Sequence, residues 1–295
     1  MDACTLCPRM CGVNRAAGEK GYCGMDATIR AARAALHMWE EPCISGTQGS
    51  GAVFFSGCSL RCIFCQNFEI AEGNCAKEIS GERLSEIFLE LQEQGAANIN
   101  LVTAAHYVPA VIESLKKAKA QGMDLPVIYN SSGYERVETV QMLEAVVDVW
   151  LPDFKYMDSK LAFAYSRAKD YPEVARAAIR EMMKAAGTCA YDEDGYIQKG
   201  VIVRHLILPG HTKNSIAVLD ELYGTYGDDL TISLMNQYTP LPQVRNIPDL
   251  NRRVTKREYE KVLDHALDLG ITQGFFQEGG TAKESFIPLF DYEGL

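Results

Sequence analysis

The sequence lacks a long hydrophobic run and an excess of positive charge. No apolar stretch approaches the roughly 20 residues of a membrane-spanning helix, so we predict no membrane association. The first residues, MDACTLCPRM, contain no apolar segment of the secretory type, which predicts a cytoplasmic protein. Lys and Arg total 29 against 39 Asp and Glu, and the net charge of −10 argues against general nucleic-acid binding, which needs a basic face.

Cysteine, by contrast, is abundant. Ten cysteines without a secretory signal indicate metal binding in a reducing compartment rather than disulfides. Three of them, Cys58, Cys62 and Cys65, are spaced C-x3-C-x2-C directly after an apolar run. A ferredoxin-type cubane takes four thiolates, so three thiolates on one loop would leave one iron open to another ligand.

Two other interpretations of this loop are a structural zinc site and unligated buried thiols. Structural zinc usually takes four N or S ligands in paired blocks, whereas this spacing is asymmetric and the next cysteine is Cys75. The pattern therefore favours an iron–sulfur cluster.

A second cysteine group lies in the N-terminal segment. Cys4, Cys7, Cys11 and Cys23 read C-x2-C-x3-C-x11-C within a loop-rich stretch, and metal binding could supply the folding energy that its small core cannot. Zinc and a second iron–sulfur cluster both fit four cysteines, and unligated thiols are the alternative. We predict an N-terminal Cys-rich module over residues 1–50.

Residues 51–295 alternate between apolar strands and amphipathic helices. Such alternation predicts an α/β protein with a parallel sheet covered by helices, as an incomplete barrel or an open doubly wound sheet. The stretch Ile29–Trp39 is ambiguous between helix and strand. The predicted strands are Ala52–Ser56, Ile99–Thr103, Val127–Asn130, Val147–Lys155, Val201–Leu208, Thr231–Asn236 and Gly274–Gln277.

Several segments resemble one family. The runs CTLCPRMCGVNR, GSGAVFFSGCSLRCIFCQN, NINLVTAAHYVP, DVWLPDFKY and VIVRHLILPGHTKNS resemble the radical S-adenosylmethionine (radical SAM) superfamily, in its pyruvate formate-lyase-activating-enzyme-like homologue subgroup. The resemblance implies an incomplete (β/α)6-type barrel over 51–295. It also implies an oxidoreductase in which a [4Fe–4S] cluster on Cys58, Cys62 and Cys65 binds S-adenosylmethionine and cleaves it to a 5′-deoxyadenosyl radical that abstracts hydrogen.

The same resemblance suggests residues for cofactor binding at the C-terminal ends of the strands. The family's Gly-Gly-Glu motif after the second strand is replaced by Thr103, Ala104 and Ala105. Asp153 and Lys155 follow a D-x-K pattern and point to one face of their strand, where unpaired charges would be costly. The candidate cofactor-binding residues are Thr103, His106, Asn130, Ser132, Asp153, Lys155 and Arg204.

Three functions remain open. The first is activation of a glycyl radical enzyme, with a protein as substrate and a flavodoxin- or ferredoxin-type reductant as partner. The second is radical modification of a small molecule or a peptide side chain. The third is a non-catalytic iron–sulfur electron carrier, which would not cleave S-adenosylmethionine.

Overall fold

The computed structural model describes residues 3–277 and 288–295. Within these described residues, ten strands and nine α-helices alternate along most of the sequence. The strands are β1 Arg30–His37, β2 Ser50–Phe55, β3 Lys77–Glu78, β4 Ile99–Val102, β5 Val127–Ser131, β6 Val149–Pro152, β7 Ala190–Tyr191, β8 Ile197–Leu206, β9 Thr231–Met235 and β10 Gly274–Phe276. The helices are α1 Pro42–Ser45, α2 Phe68–Ala71, α3 Gly81–Glu93, α4 Val108–Ala120, α5 Val137–Leu143, α6 Ser159–Ser166, α7 Tyr171–Ala186, α8 Thr212–Tyr226 and α9 Lys256–Asp268. Short 3-10 helices lie at Arg15–Ala17, Ala105–Tyr107, Gly227–Asp229 and Pro242–Val244.

In the part of the chain that the structure describes, seven parallel strands lie side by side in the order in which they occur in the sequence. The sheet order is β10-β9-β8-β6-β5-β4-β2-β1-β3, and every neighbouring pair from β2 to β10 is parallel. A doubly wound sheet reverses its strand order at a switch point, and this sheet does not. In the described residues β10 and β3 end the sheet without pairing to each other, so the fold is the predicted incomplete barrel.

The parallel strands are apolar because both of their faces are covered. All residues of β2, β4, β5 and β6 are buried. Helix α3 covers the outside with an apolar face made of Leu84, Ile87, Phe88 and Leu91. Such two-sided burial is why near-continuous apolar runs predicted these strands correctly.

The ambiguous stretch Ile29–Trp39 contains strand β1. It pairs antiparallel with β2 and carries a register shift between Ala31 and Arg33. That irregularity gives β1 a burial pattern that repeats about every three residues instead of every two, which is why periodicity could not separate strand from helix. Because β1 joins the main sheet, the sheet crosses the boundary at residue 50, and the division into 1–50 and 51–295 stays a prediction.

Two residues fix the start of helix α9. Thr255 accepts a hydrogen bond from the backbone of Glu258, whose side chain in turn accepts one from the backbone of Thr255. This capping box sets the start of α9. Within the described residues, no helix combines the length and apolarity that crossing a membrane would require.

A buried histidine on β8 makes the fold sensitive to acid. His205 contacts the carbonyl oxygen of Phe154 at 2.7 Å and the hydroxyl of Ser215 at 2.9 Å, and burial lowers its pKa to about 4. The unfolded chain protonates near pH 6.5, so this histidine favours the folded state above that pH and loses its contribution as pH falls towards 4.

We therefore expect the free energy of unfolding to fall between pH 6.5 and 5 by about 2 kcal/mol from His205. His205→Asn, which keeps a donor near the Phe154 carbonyl but cannot gain a proton, should remove that part of the slope. Urea unfolding at several pH values measures it. Equal slopes for the two proteins would contradict the assignment.

Candidate active site

The three-cysteine loop begins directly after β2. Gly57 has a backbone φ of +90°, and Arg61, between the first two cysteines, also has a positive φ of +53°. These two residues turn the chain sharply because both adopt the left-handed backbone conformation. Glycine adopts that conformation without strain, whereas a residue such as Arg61 does not. The turns bring Cys58, Cys62 and Cys65 to the wall of one cavity.

Hydrogen-bond donors reach the sulfur atoms of Cys58 and Cys62. The backbone N–H of Leu60 lies 3.3 Å from the Cys58 Sγ, and the Ser166 hydroxyl lies 3.0 Å from the Cys62 Sγ. Burial raises the pKa of Cys62 to about 11, so without metal this thiol stays protonated at neutral pH. Metal binding displaces that proton, and donors of this kind then stabilise the thiolates and tune a cluster.

An aromatic cage holds the loop in place. Phe64, between the second and third cysteines, is buried, and its ring lies 6.3–6.5 Å from the rings of Tyr156, Tyr165 and Tyr238. The Tyr156 hydroxyl pairs with that of Ser166 at 2.8 Å. The cage therefore also positions the hydroxyl that reaches the Cys62 sulfur.

The cavity beside the loop has a volume of about 210 Å³. Besides the three cysteines, its wall contains six of the seven predicted cofactor-binding residues, which come from the ends of four successive parallel strands: Thr103, Asn130, Ser132, Asp153, Lys155 and Arg204. Parallel α/β barrels build their sites at these strand ends.

A network of charged and amide side chains crosses the cavity wall. Arg204 donates from Nη1 to Glu40 at 2.9 Å, from Nη2 to the Asn130 Oδ1 at 2.5 Å, and approaches Asp153 at 3.3 Å. Glu40 also accepts from the amides of Asn100 at 3.1 Å and Asn130 at 3.2 Å. Each charged group has an opposite partner, as low-polarity surroundings require.

Lys155 connects this network to the cysteines. Its Nζ lies 2.5 Å from the Asp153 carboxylate. Burial opposes its charge, but Asp153 and the sulfur of Cys62 outweigh burial and raise the pKa of Lys155. Burial likewise opposes the charge of Asp153, yet Lys155 and Arg204 together lower its pKa. Both groups are therefore charged at neutral pH, and the lysine offsets negative charge on a thiolate-bound centre.

Thr103 stands where the family carries its Gly-Gly-Glu motif. It has a φ of +63°, and its N–H donates to the Asn130 carbonyl at 2.9 Å. A β-branched residue rarely adopts this left-handed conformation, which glycine adopts freely. The backbone thus keeps the conformation of a glycine position although the side chain has changed, and such strain is typical of functional sites.

His106 lies outside the cavity wall. Its Nε2 is 2.7 Å from the carbonyl oxygen of Ser56, and its ring is buried against Tyr107. The ring supports the backbone just before the cysteine loop. This position does not bring the side chain to the other candidate residues.

The turn after β5 is held by a glycine that tolerates no side chain. Gly133 has a φ of +72°, and a methyl group added there would lie 2.1 Å from the carbonyl oxygen of Asp153. The Tyr171 hydroxyl fixes the same turn by donating to the Ser132 carbonyl at 2.8 Å. The turn presents Asn130 and Ser132 to the cavity.

We expect Gly133→Ala to lower the free energy of unfolding by roughly 3 kcal/mol, from left-handed strain and the clash together. Gly95→Ala is the matched control, since Gly95 has a φ of +84° with nothing within 4 Å of an added methyl. The control should lose only the strain of about 1–2 kcal/mol. Equal losses in urea unfolding would show that the contact with Asp153 is unimportant.

The N-terminal cysteines form a separate group. Cys4, Cys7 and Cys23 are buried and Cys11 is exposed. Across residues 3–277 and 288–295, no three His, Cys, Asp or Glu side chains converge closely enough to hold a single metal ion. The thiolates of a cubane cluster, in contrast, each bind a different iron.

The sequence reasoning missed Glu40 and its neighbours. His37 at the end of β1, and Trp39 and Glu40 in the loop after it, line the cavity. The sequence does contain an indication of this site, because the acidic pair Glu40 and Glu41 follows an apolar run and precedes Pro42. The residues predicted to be functional in the N-terminal module are its cysteines, and Glu40 is not among them.

Comparison with known proteins agrees with this geometry. A family model described as "4Fe-4S single cluster domain" matches residues 45–169, which include the three-cysteine loop. An uncharacterised protein of Methanocaldococcus jannaschii is 29% identical over 270 residues, covering 89% of this chain and 74% of the relative.

Two solved radical SAM enzymes have the same fold. SuiB of Streptococcus suis, solved with bound S-adenosylmethionine, matches 77% of this chain with a TM-score of 0.50 and 14% identity. HydG, a maturase of the [FeFe]-hydrogenase, matches 78% with a TM-score of 0.53 and 16% identity. The chain spans about half the length of each, 50% and 52%. The chain is therefore similar to the 4Fe-4S single cluster family over residues 45–169 and shares the fold of these two radical SAM enzymes, in agreement with the resemblance of its C-x3-C-x2-C loop.

Proposed function

We propose that this protein reductively cleaves S-adenosylmethionine and uses the resulting radical to abstract hydrogen from a substrate. The observation that carries the proposal is one cavity that contains three cysteines of one loop and a balanced set of charged and polar groups. A cluster held there by the three cysteines would pass one electron from the reductant to S-adenosylmethionine and so split the S–C5′ bond of that molecule into methionine and a 5′-deoxyadenosyl radical.

The donor set suits a cubane cluster with one open iron. Cys58, Cys62 and Cys65 are the cysteines of the described cavity wall, and three thiolates leave the fourth iron free. Ser166 and the Leu60 backbone donate to two of the sulfur atoms. Lys155 adds a positive charge near the thiolates.

The remaining wall complements an amino acid linked to a nucleoside. Arg204 and Lys155 are suited to the carboxylate, and the carbonyl and hydroxyl oxygens of Thr103 to the ammonium group. Asn130, Ser132 and Asp153 offer hydrogen bonds to ribose hydroxyls, and apolar side chains including Leu206 and Met235 offer a surface for adenine.

The test is anaerobic. Protein reconstituted with iron and sulfide is reduced with dithionite, given S-adenosylmethionine, and assayed for 5′-deoxyadenosine by mass spectrometry. We expect product from the wild type and from Cys189→Ala, whose cysteine lies outside the cavity wall, and none from Cys58→Ala. Wild-type protein that holds an intact cluster and binds S-adenosylmethionine but never cleaves it would overturn the proposal and favour an electron carrier.

For the substrate, we propose a backbone glycine of a protein partner, as in activation of a glycyl radical enzyme. The motif resemblance supports this, and so does Trp39, which lines the cavity while more than half exposed to an approaching partner. A flavodoxin- or ferredoxin-type reductant and a cytoplasmic location complete the proposal.

Electron paramagnetic resonance (EPR) distinguishes this substrate from the alternatives. Incubation with glycyl radical enzymes from the same organism should generate a glycine-centred doublet that disappears with Cys58→Ala. If 5′-deoxyadenosine forms without that signal but with hydrogen taken from a peptide side chain or a small molecule, the second function is correct.

A further inference from the structure

The N-terminal cysteines lie on a tightly folded loop. The backbone of Cys4 donates to the Val13 carbonyl and accepts from the Gly12 N–H, both at 3.0 Å, and the Met10 N–H donates to the Cys7 carbonyl at 3.0 Å. These bonds close the loop on itself. They fix the backbone at Cys4, Cys7 and Met10 in a segment that otherwise has little hydrophobic core.

The four thiols share one neighbourhood. A methyl group on Gly21 would lie 2.4 Å from the Cys11 sulfur, so that sulfur sits against the backbone just before Cys23. Cys4 and Cys23 lie close enough to Cys7 to interact with it electrostatically, and Cys4 and Cys11 lie equally close to Cys23. Residues up to 19 positions apart are thus brought together.

A buried carboxyl adjoins this group. Glu135, on the barrel side, is 2% exposed and acts electrostatically on Cys7. Its Oε2 is buried without a hydrogen-bond partner among the described residues. Glu135 is therefore the barrel residue that lies beside the thiol of Cys7.

The two cysteine groups are in direct contact through their backbones. A methyl on Gly57, the residue before Cys58, would lie 2.9 Å from the carbonyl oxygen of Cys23. Arg9 also joins them, since its Nε donates to the Ser59 carbonyl at 2.8 Å.

The same contact is reinforced by an aromatic ring. The guanidinium of Arg9 lies 4.0 Å from the centre of the Tyr22 ring, and that of Arg61 lies 5.4 Å from it. Tyr22 precedes Cys23, and Arg61 precedes Cys62. A redox centre on the N-terminal loop would therefore neighbour the centre on the active-site loop.

We propose that Cys4, Cys7, Cys11 and Cys23 hold a second [4Fe–4S] cluster that exchanges electrons with the active-site cluster. Four thiolates are the full complement for such a cluster. In each exchange one cluster is oxidised as the other is reduced, and the electron comes from the flavodoxin- or ferredoxin-type reductant. The metal assignment does not depend on S-adenosylmethionine cleavage, whereas the exchange rests on the proposed function.

Metal analysis of the full-length protein, purified and reconstituted anaerobically, tests the assignment. We expect about eight iron and eight sulfide per wild-type chain, and about four of each in the triple variant Cys58→Ala/Cys62→Ala/Cys65→Ala and in Cys7→Ser/Cys23→Ser. Cys43→Ser, a buried cysteine outside both groups, is the control and should keep the wild-type content.

Zinc in place of iron, or a triple variant without iron, would overturn the proposal. If the variants do not fold, the iron content of the wild type still tests the second cluster, because about four iron per chain would overturn the proposal. Reduced wild-type protein should show EPR signals broadened by spin coupling between neighbouring clusters, and two uncoupled signals would contradict the exchange. The two proposals can fail separately. If the wild type never cleaves S-adenosylmethionine but the triple variant still holds a cluster on the N-terminal cysteines, the proposed function fails and the second cluster stands.

Discussion

Arg204→Met is expected to destabilise the protein by roughly 3–5 kcal/mol, because it leaves buried carboxylates without their partner. Glu40 and Asp153 both contact the Arg204 guanidinium, and all three side chains are less than one-fifth exposed. Asn130 would also lose the donor to its Oδ1. Urea unfolding measures the loss, and titration with S-adenosylmethionine should show weaker binding.

Two variants separate charge from geometry at this position. Arg204→Lys keeps the positive charge but cannot reach three acceptors at once, so an intermediate loss is expected. Glu40→Gln combined with Arg204→Met removes one unpaired charge and should restore part of the stability. A single Arg204→Met variant within about 1 kcal/mol of wild type would show that the network is not the buried, paired arrangement described.

Cys62→Ala is expected to abolish the active-site cluster, with no 5′-deoxyadenosine formed above background. Two thiolates remain on the loop, which is too few to hold a cubane in a cavity open to solvent. Iron and sulfide per chain, together with product formation, measure the effect.

Ser166→Ala provides the graded comparison. It removes the hydroxyl that donates to the Cys62 sulfur and leaves all three cysteines. We expect the cluster to assemble with a lower reduction potential, since a hydrogen bond to a ligating sulfur stabilises the reduced state.

A Cys62→Ala variant with wild-type iron and activity would mean that the ligand set is wrong.

The sequence could predict the strands and most of the candidate site because both follow from local patterns. Buried parallel strands read as apolar runs, and charges such as Asp153 and Lys155 stand out where those runs end. Arg204 could be predicted for the same reason, because it is a charged residue within an apolar run. The cysteine spacing indicated the cluster loop, and the resemblance added S-adenosylmethionine and the incomplete barrel.

Other parts depend on contacts between distant segments. Glu40 reaches Arg204 across 164 positions, and nothing near it in the sequence shows that partner. His106 follows a strand end as a site residue would, but its ring turns to the Ser56 carbonyl instead. The strand character of β1 was obscured by its register shift, which only pairing with β2 reveals.

The most direct test of the central claim is an EPR spectrum of the reduced cluster before and after S-adenosylmethionine is added. The triple variant supplies the spectrum of any other centre for subtraction. We predict that the signal assigned to Cys58, Cys62 and Cys65 changes its g values on addition, because the open iron gains a ligand. An assembled cluster whose spectrum stays the same at saturating S-adenosylmethionine would contradict this account of the cavity.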